Sequence, residues 1–207
     1  AGDFAAYIKA PNADANDNFG QSTSLNTSTD PRIDGNTLAV GAIREDSSGS
    51  ATGFGATQVD DCITGAPPRN CAQDSGAVYI YMREQTGPGV WGTGDFAAYV
   101  KAPNAGRLDY FGHSISLNSD GGTLAIGAYM EESDGKDSNG VVRTVSVLPL
   151  PNDNNTASQV GAVYIYERDL AVPGQWGNGD FGAYIKAPNA GSGDSFGYSV
   201  KLSPDGL

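Results

Sequence analysis

Hydrophobic residues fall in short segments of six or seven positions, and polar, glycine-rich stretches separate them. An apolar period of 3.6 residues nowhere persists for three turns, so the pattern predicts strands and turns and argues against amphipathic helices. Within the segments the alternation has period two. In FGHSISL (111–117), Phe111, His113, Ile115 and Leu117 point one way and Gly112, Ser114 and Ser116 the other. FGQSTSL (19–25) likewise sets Phe19, Thr23 and Leu25 against Gly20, Ser22 and Ser24. One face is bulky and the other small. That suits a sheet pressed by neighbouring sheets on both sides, because large side chains of one must sit over small ones of the next.

The segments recur in a fixed order. GDFAAYIKAPNADANDNFGQS (2–22), GDFAAYVKAPNAGRLDYFGHS (94–114) and GDFGAYIKAPNAGSGDSFGYS (179–199) align without gaps, offset by 92 and 85 residues. NTLAVGA (36–42) matches GTLAIGA (122–128), and GAVYIY occurs at 76–81 and again at 161–166. Each repeat thus holds four strand candidates: FG-x-S, TLA[VI]GA, GAVYIY and F[AG]AY[IV]KA. Four antiparallel strands per repeat, stacked radially, make a propeller blade, so the predicted fold class is all-β. The predicted divisions are 1–17, a last strand and connector; 18–104 and 105–188, two full units; and 189–207, the start of another.

The ordered motifs D-x-F-G-x-S, T-L-A-[VI]-G-A and G-A-V-Y-I-Y resemble the FG-GAP repeat of integrin α-chain heads. They are most similar to its bacterial surface-protein type, whose repeats also carry E-[DE]-S, here Glu45-Asp46-Ser47 and Glu131-Glu132-Ser133. The resemblance implies a β-propeller. Closed propellers need at least about four blades, so this chain is expected to be a segment of a longer protein, or to self-associate through its open blade edges. Lys9, Lys101 and Lys186 recur in the fourth strand, which is usually the outer edge. They are expected to protect that edge against wrong pairing.

The net charge of −12 repels phosphate backbones and excludes nucleic acid as an expected partner. No run of 18 apolar residues occurs, so no membrane insertion is predicted for this segment. Cys62 and Cys71 share one polar loop without a neighbouring histidine. A local disulfide is expected there rather than zinc, which implies an oxidising, extracellular compartment.

Two sets of carboxylates recur. Asp17, Asp109 and Asp194 each lie two residues before an F-G phenylalanine. They read either as turn caps or as calcium ligands. Glu45, Asp46, Glu131, Glu132 and Asp134 open the long loops 43–75 and 129–160, where calcium, with its six to eight oxygen ligands, is the cofactor to consider. Catalysis finds little support. The single histidine, His113, takes a slot that Gln21 and Tyr198 fill elsewhere, and no G-x-S-x-G elbow or P-loop occurs. The expected function is a non-enzymatic cell-surface module for adhesion, binding a protein or glycan ligand at its loop face. A structural subunit of an extracellular filament or sheath is the alternative.

Overall fold

A computed structural model describes residues 6–28, 35–46, 72–83, 91, 96–135, 145–146, 157–168, 176 and 181–206. Cys62, Cys71 and most of both long loops lie outside the described residues, as does Asn154, the second of two N-x-[ST] sequons. Among the described residues every regular element is a strand. In chain order these are β1 (Phe19–Leu25), β2 (Thr37–Ala42), β3 (Ala77–Met82), β4 (Phe96–Val100), β5 (Ser114–Leu117), β6 (Thr123–Ala128), β7 (Val145–Ser146), β8 (Ala162–Glu167) and β9 (Phe181–Ile185). They build two antiparallel sheets, ordered β1-β2-β3-β4 and β5-β6-β8-β9-β7. Four strands of each are the four predicted segments in the predicted order. The two-residue β7 pairs with the far edge of β9.

Equivalent residues pair identically in the two sheets. Leu38 stands opposite Tyr81 and Val40 opposite Tyr79, as Leu124 stands opposite Tyr166 and Ile126 opposite Tyr164. An asparagine closes each first hairpin. Asn26 Oδ1 accepts the Thr37 N–H at 2.7 Å, and Asn118 Oδ1 accepts those of Gly122 and Thr123 at 2.9 Å. Asn26, the first sequon asparagine, is therefore buried and occupied by the turn.

Strand alternation divides the side chains between two cores. Tyr79, Tyr81 and Tyr99 face one way with Val40 and Ala10, and Phe19 packs against them. Val78, Ile80, Ala39, Ala98 and Val100 face the other way. They pack in one cluster with Phe111, Leu124, Ile126, Tyr164, Tyr166 and Tyr184 of the second sheet. The bulky face of one sheet thus sits on the smaller aliphatic face of the other. Phe19 meets Tyr79 edge-on at 5.4 Å, and Phe111 meets Tyr164 edge-on at 5.2 Å. Such pairs contribute about 0.5–1.5 kcal/mol beyond their buried area. This contact is why the phenylalanine of F-G and the tyrosines of Y-I-Y recur together.

The glycines and serines of the motifs have a common cause. A Cβ on Gly41 would strike the Gly112 carbonyl, and one on Gly127 the Gly197 carbonyl. The G-A of one repeat and the F-G of the next thus meet backbone to backbone. Serines bridge the same seam. Ser22 donates to the Gly112 carbonyl at 2.5 Å and Ser114 to that of Gly197 at 2.8 Å. Ser24 Oγ accepts the Leu117 N–H and Ser116 Oγ that of Leu202, both at 2.9 Å.

Two expectations need correction. The predicted first strands at 111–117 and 196–202 are shorter than expected. Residues 111–113 form a turn, and 196–202 have only a bridge from Phe196 to Gly161, because no second strand lies beside them among the described residues. The lysine expectation fails at two of three positions. Lys101 and Lys186 are each 1% exposed and protect no edge. They lie one residue past β4 and β9, where the chain turns inward over a glutamate. Lys9 has no glutamate upstream in this sequence and is exposed.

Candidate functional site

The residues expected to bind calcium divide between a buried polar network, backbone turns and the rim of the long loops. Glu45 follows β2 by three residues, and Lys101 reaches it from the end of β4. Lys101 Nζ donates to Glu45 Oε2 at 2.7 Å, to Ser75 Oγ at 2.6 Å and to the Gly76 carbonyl at 2.9 Å. The Tyr99 hydroxyl donates to the same carboxylate oxygen at 2.7 Å. Asn12, in the connector before β1, donates to Glu45 Oε1 at 3.4 Å and accepts from the Tyr79 hydroxyl at 2.7 Å.

The second repeat builds the same network. Lys186 Nζ bonds Glu131 Oε2, and the Tyr184 hydroxyl donates to Glu131 Oε1 at 3.0 Å. Asn104 donates to Glu131 Oε1 at 3.1 Å and accepts from the Tyr164 hydroxyl at 2.8 Å. Ser133 adds a 2.6 Å hydroxyl contact to Tyr184. Each network joins three parts distant in sequence: the connector before a sheet, the residue after its second strand and the residue after its fourth. Burial pushes the Lys101 pKa down, and the Glu45 carboxylate opposes that shift. A buried pair of this kind is strongly destabilising to break, because one charge is then left without its partner. With both charges shielded from water, the arrangement clamps the fold and exposes no reactive group.

The recurring aspartates make the same turn three times. Asp17 Oδ2 accepts the Asp14 N–H at 2.9 Å, Asp109 Oδ2 that of Gly106 at 2.7 Å, and Asp194 Oδ2 that of Gly191 at 2.8 Å. Of the two open readings, the turn cap accounts for all three. The Asp17 pKa is raised, first by burial, with the carboxylates of Glu45, Asp14 and Asp46 adding and the Asp14 N–H opposing. Asp46 Oδ1 accepts the Asp74 N–H at 2.7 Å. Glu132 and Asp134 are partly exposed at the start of the second long loop. Among the described residues, no group of three or more His, Cys, Asp or Glu is placed to hold a metal.

The aromatic residues also separate. Tyr79, Tyr81, Tyr164 and Tyr166 are core, Trp176 is buried with the second set, and Trp91 packs partly buried against the first. A second aromatic group was not legible as such in the sequence. Tyr110, His113, Tyr129 and Tyr198 meet at the end of the sheets from which the long loops leave. Ring centroids are 5.8 Å apart for Tyr110 and Tyr129, 4.4 Å for His113 and Tyr129, 4.7 Å for His113 and Tyr198, and 5.3 Å for Tyr129 and Tyr198. Tyr198 is 60% exposed. Arg44 and Asp74 lie 4.0 Å apart beside the group, where Tyr110 N–H donates to the Asp74 carbonyl at 3.2 Å. Exposed Arg107 donates to Gln73 Oε1 at 3.0 Å. The signal that marks this group is a break in the repeat: the first repeat has Asn18, Gln21 and Ile43 where the second has Tyr110, His113 and Tyr129.

No protein-family model matches the chain, and no curated protein is significantly similar to it.

Proposed function

We propose that the two sheets are neighbouring blades of an FG-GAP-type β-propeller, and that the chain is a non-enzymatic extracellular module that binds a protein or glycan at its loop face. The observation that carries this reading is a contrast between core and rim. The aspartate turns and the glycine seams repeat between the two units, and so does the Lys-Glu-Tyr-Asn core of each clamp. The residues at the loop end do not. A scaffold held constant beneath variable ends is the arrangement of a recognition surface. The sole histidine sits at a position that changes from repeat to repeat, which favours binding over catalysis. Calcium enters the same proposal through Glu132 and Asp134, and a melting curve with and without chelator reads it: a ligand held only by the folded state raises its stability.

The immobilised chain, probed with a panel of soluble polysaccharides and extracellular-matrix proteins, tests the reading. Saturable binding by at least one member, lost when the chain is heat-denatured, is expected. Silence across both panels overturns it.

The alternative is a subunit of an extracellular filament. Val78 and Ile80 are fully buried under the second sheet, whereas their counterparts Val163 and Ile165 are partly exposed. That outward face is open to another sheet. Electron microscopy separates the two readings, since a filament has a regular axial repeat and a binding module gives separate particles.

A further inference from the structure

We propose that Tyr110, His113, Tyr129 and Tyr198 form the binding site for a pyranose ring of a neutral glycan; this inference rests on the binding-module reading above.

The first argument is the repeat itself. A residue required by the fold recurs, as Lys101, Glu45, Gly41 and Asp109 do. Tyr110, His113 and Tyr129 replace Asn18, Gln21 and Ile43, and the first sheet forms without them. The fold of a unit therefore does not require three rings at this corner, where His113 Nδ1 also lies 3.2 Å from the Tyr198 carbonyl.

The second argument is backbone cost. Tyr110 has φ +55°, and its sister residues Asn18 and Ser195 have +56° and +53°. Leu108 has φ +69°, where the sisters are Asn16 at +77° and Gly193 at +87°. Asparagine and glycine accept this left-handed region, whereas tyrosine and leucine enter it at a cost. The second repeat thus holds a tyrosine where the first has a residue better suited to the backbone. Such strain gathers at functional positions.

The third argument is chemical. Tyrosine rings give an apolar face at low entropic cost and a hydroxyl at the rim, and aromatic and arginine side chains dominate binding hot spots. Beside the rings stand Arg44 and Asp74, which together offer donors and acceptors. A pyranose needs both: C–H bonds to lie on a ring and hydroxyls that donate and accept. The ring centroids lie 4.4–5.8 Å apart, so the rings fill the space between them and leave no cage for a cation, while Tyr198 stays 60% exposed at the rim. The net charge of −12 selects against polyanionic glycans.

The test uses the whole chain and a panel of mannan, galactomannan, xyloglucan, dextran and chitooligosaccharide, with alginate as the polyanionic control and matrix proteins alongside. The comparison variant carries Tyr110→Asn, His113→Gln and Tyr129→Ile, the residues of the first repeat. Wild type is expected to bind at least one neutral glycan more tightly than alginate. The variant is expected to melt no earlier than wild type and to bind about tenfold or more weakly. If the variant melts early, Tyr198→Ala alone carries the comparison, and a similar loss is expected. Equal binding by wild type and variant removes the site while leaving the binding module intact. Binding of a matrix protein with no neutral glycan bound removes the ligand class and leaves that broader reading standing. Silence in both panels removes both.

Discussion

Lys101 Nζ lies 2.7 Å from Glu45 Oε2 in the interior, 56 residues away in sequence, and Lys186 meets Glu131 in the same way. Two of the three lysines in the K-A-P-N motif thus anchor the end of a fourth strand to the loop after the second. Lys101→Ala is expected to destabilise by about 3–5 kcal/mol, because it leaves Glu45 buried and unpaired. Glu45→Leu with Lys101→Met is expected to cost much less than the sum of the two single changes. Urea denaturation of the four proteins gives the coupling directly. Additive costs would remove the clamp from the account.

Gly41 and Gly112 mark a close approach of the two repeats. Gly41→Ala is expected to cost about 1–3 kcal/mol or more, since a methyl group meets the Gly112 carbonyl, which is backbone and cannot swing aside. Gly127→Ala, against Gly197, is expected to behave alike. A denaturation midpoint unchanged by either substitution would show that the seam is looser than its contacts imply.

Alkaline pH separates the buried tyrosines from the others. Burial raises the pKa of Tyr81, Tyr164, Tyr166 and Tyr184 above the ordinary 10.0. In the folded state they stay protonated, while the unfolded chain loses their protons above pH 10. The stability they contribute is therefore complete below pH 10 and is lost as pH rises beyond it. Each fully buried phenol removes about 1.4 kcal/mol per pH unit there. Lys101 works in the opposite direction, but only between its lowered value and 10.5, so it leaves the loss above that pH unopposed. Phenolate absorbance and circular dichroism are expected to change together for these residues. Gradual titration of every tyrosine without loss of sheet would contradict their burial.

Asp109 distinguishes a turn cap from a metal ligand. Asp109→Ala is expected to cost about 0.5–1.5 kcal/mol through the lost hydrogen bond to the Gly106 N–H. The cost is expected to be the same with calcium and with chelator. A cost seen only with calcium present would restore the ligand reading for all three aspartates.

Asn104 joins Tyr164 to Glu131, and Asn12 joins Tyr79 to Glu45. Asn104→Ala strands a buried hydroxyl and is expected to cost about 1–3 kcal/mol by thermal or chemical unfolding. Asn104→Asp is expected to cost at least as much, because it sets a second carboxylate against Glu131. No loss in either variant would separate the connector from the sheet it follows.

The sequence by itself determined the four core strands of each sheet, their order and the alternation of their faces, though not the extent of the first strands or the existence of β7. Those features follow from local periodicity and from turn residues, and two aligned copies of each made them plain. The aspartate turns were one of two readings the sequence offered, because their hydrogen bond spans only three residues while a carboxylate can equally serve as a calcium ligand. What Lys101 and Lys186 do was decided by the tertiary structure alone. A lysine beside a strand end reads as an edge charge until the fold brings a glutamate 55 or 56 positions away to its ammonium. The same holds for the serines of F-G-x-S-x-S, whose partners belong to the next repeat, and for the cluster of Tyr110, His113, Tyr129 and Tyr198. Side-chain period fixes which way a residue points. Only the packing of one sheet on another determines what it meets there.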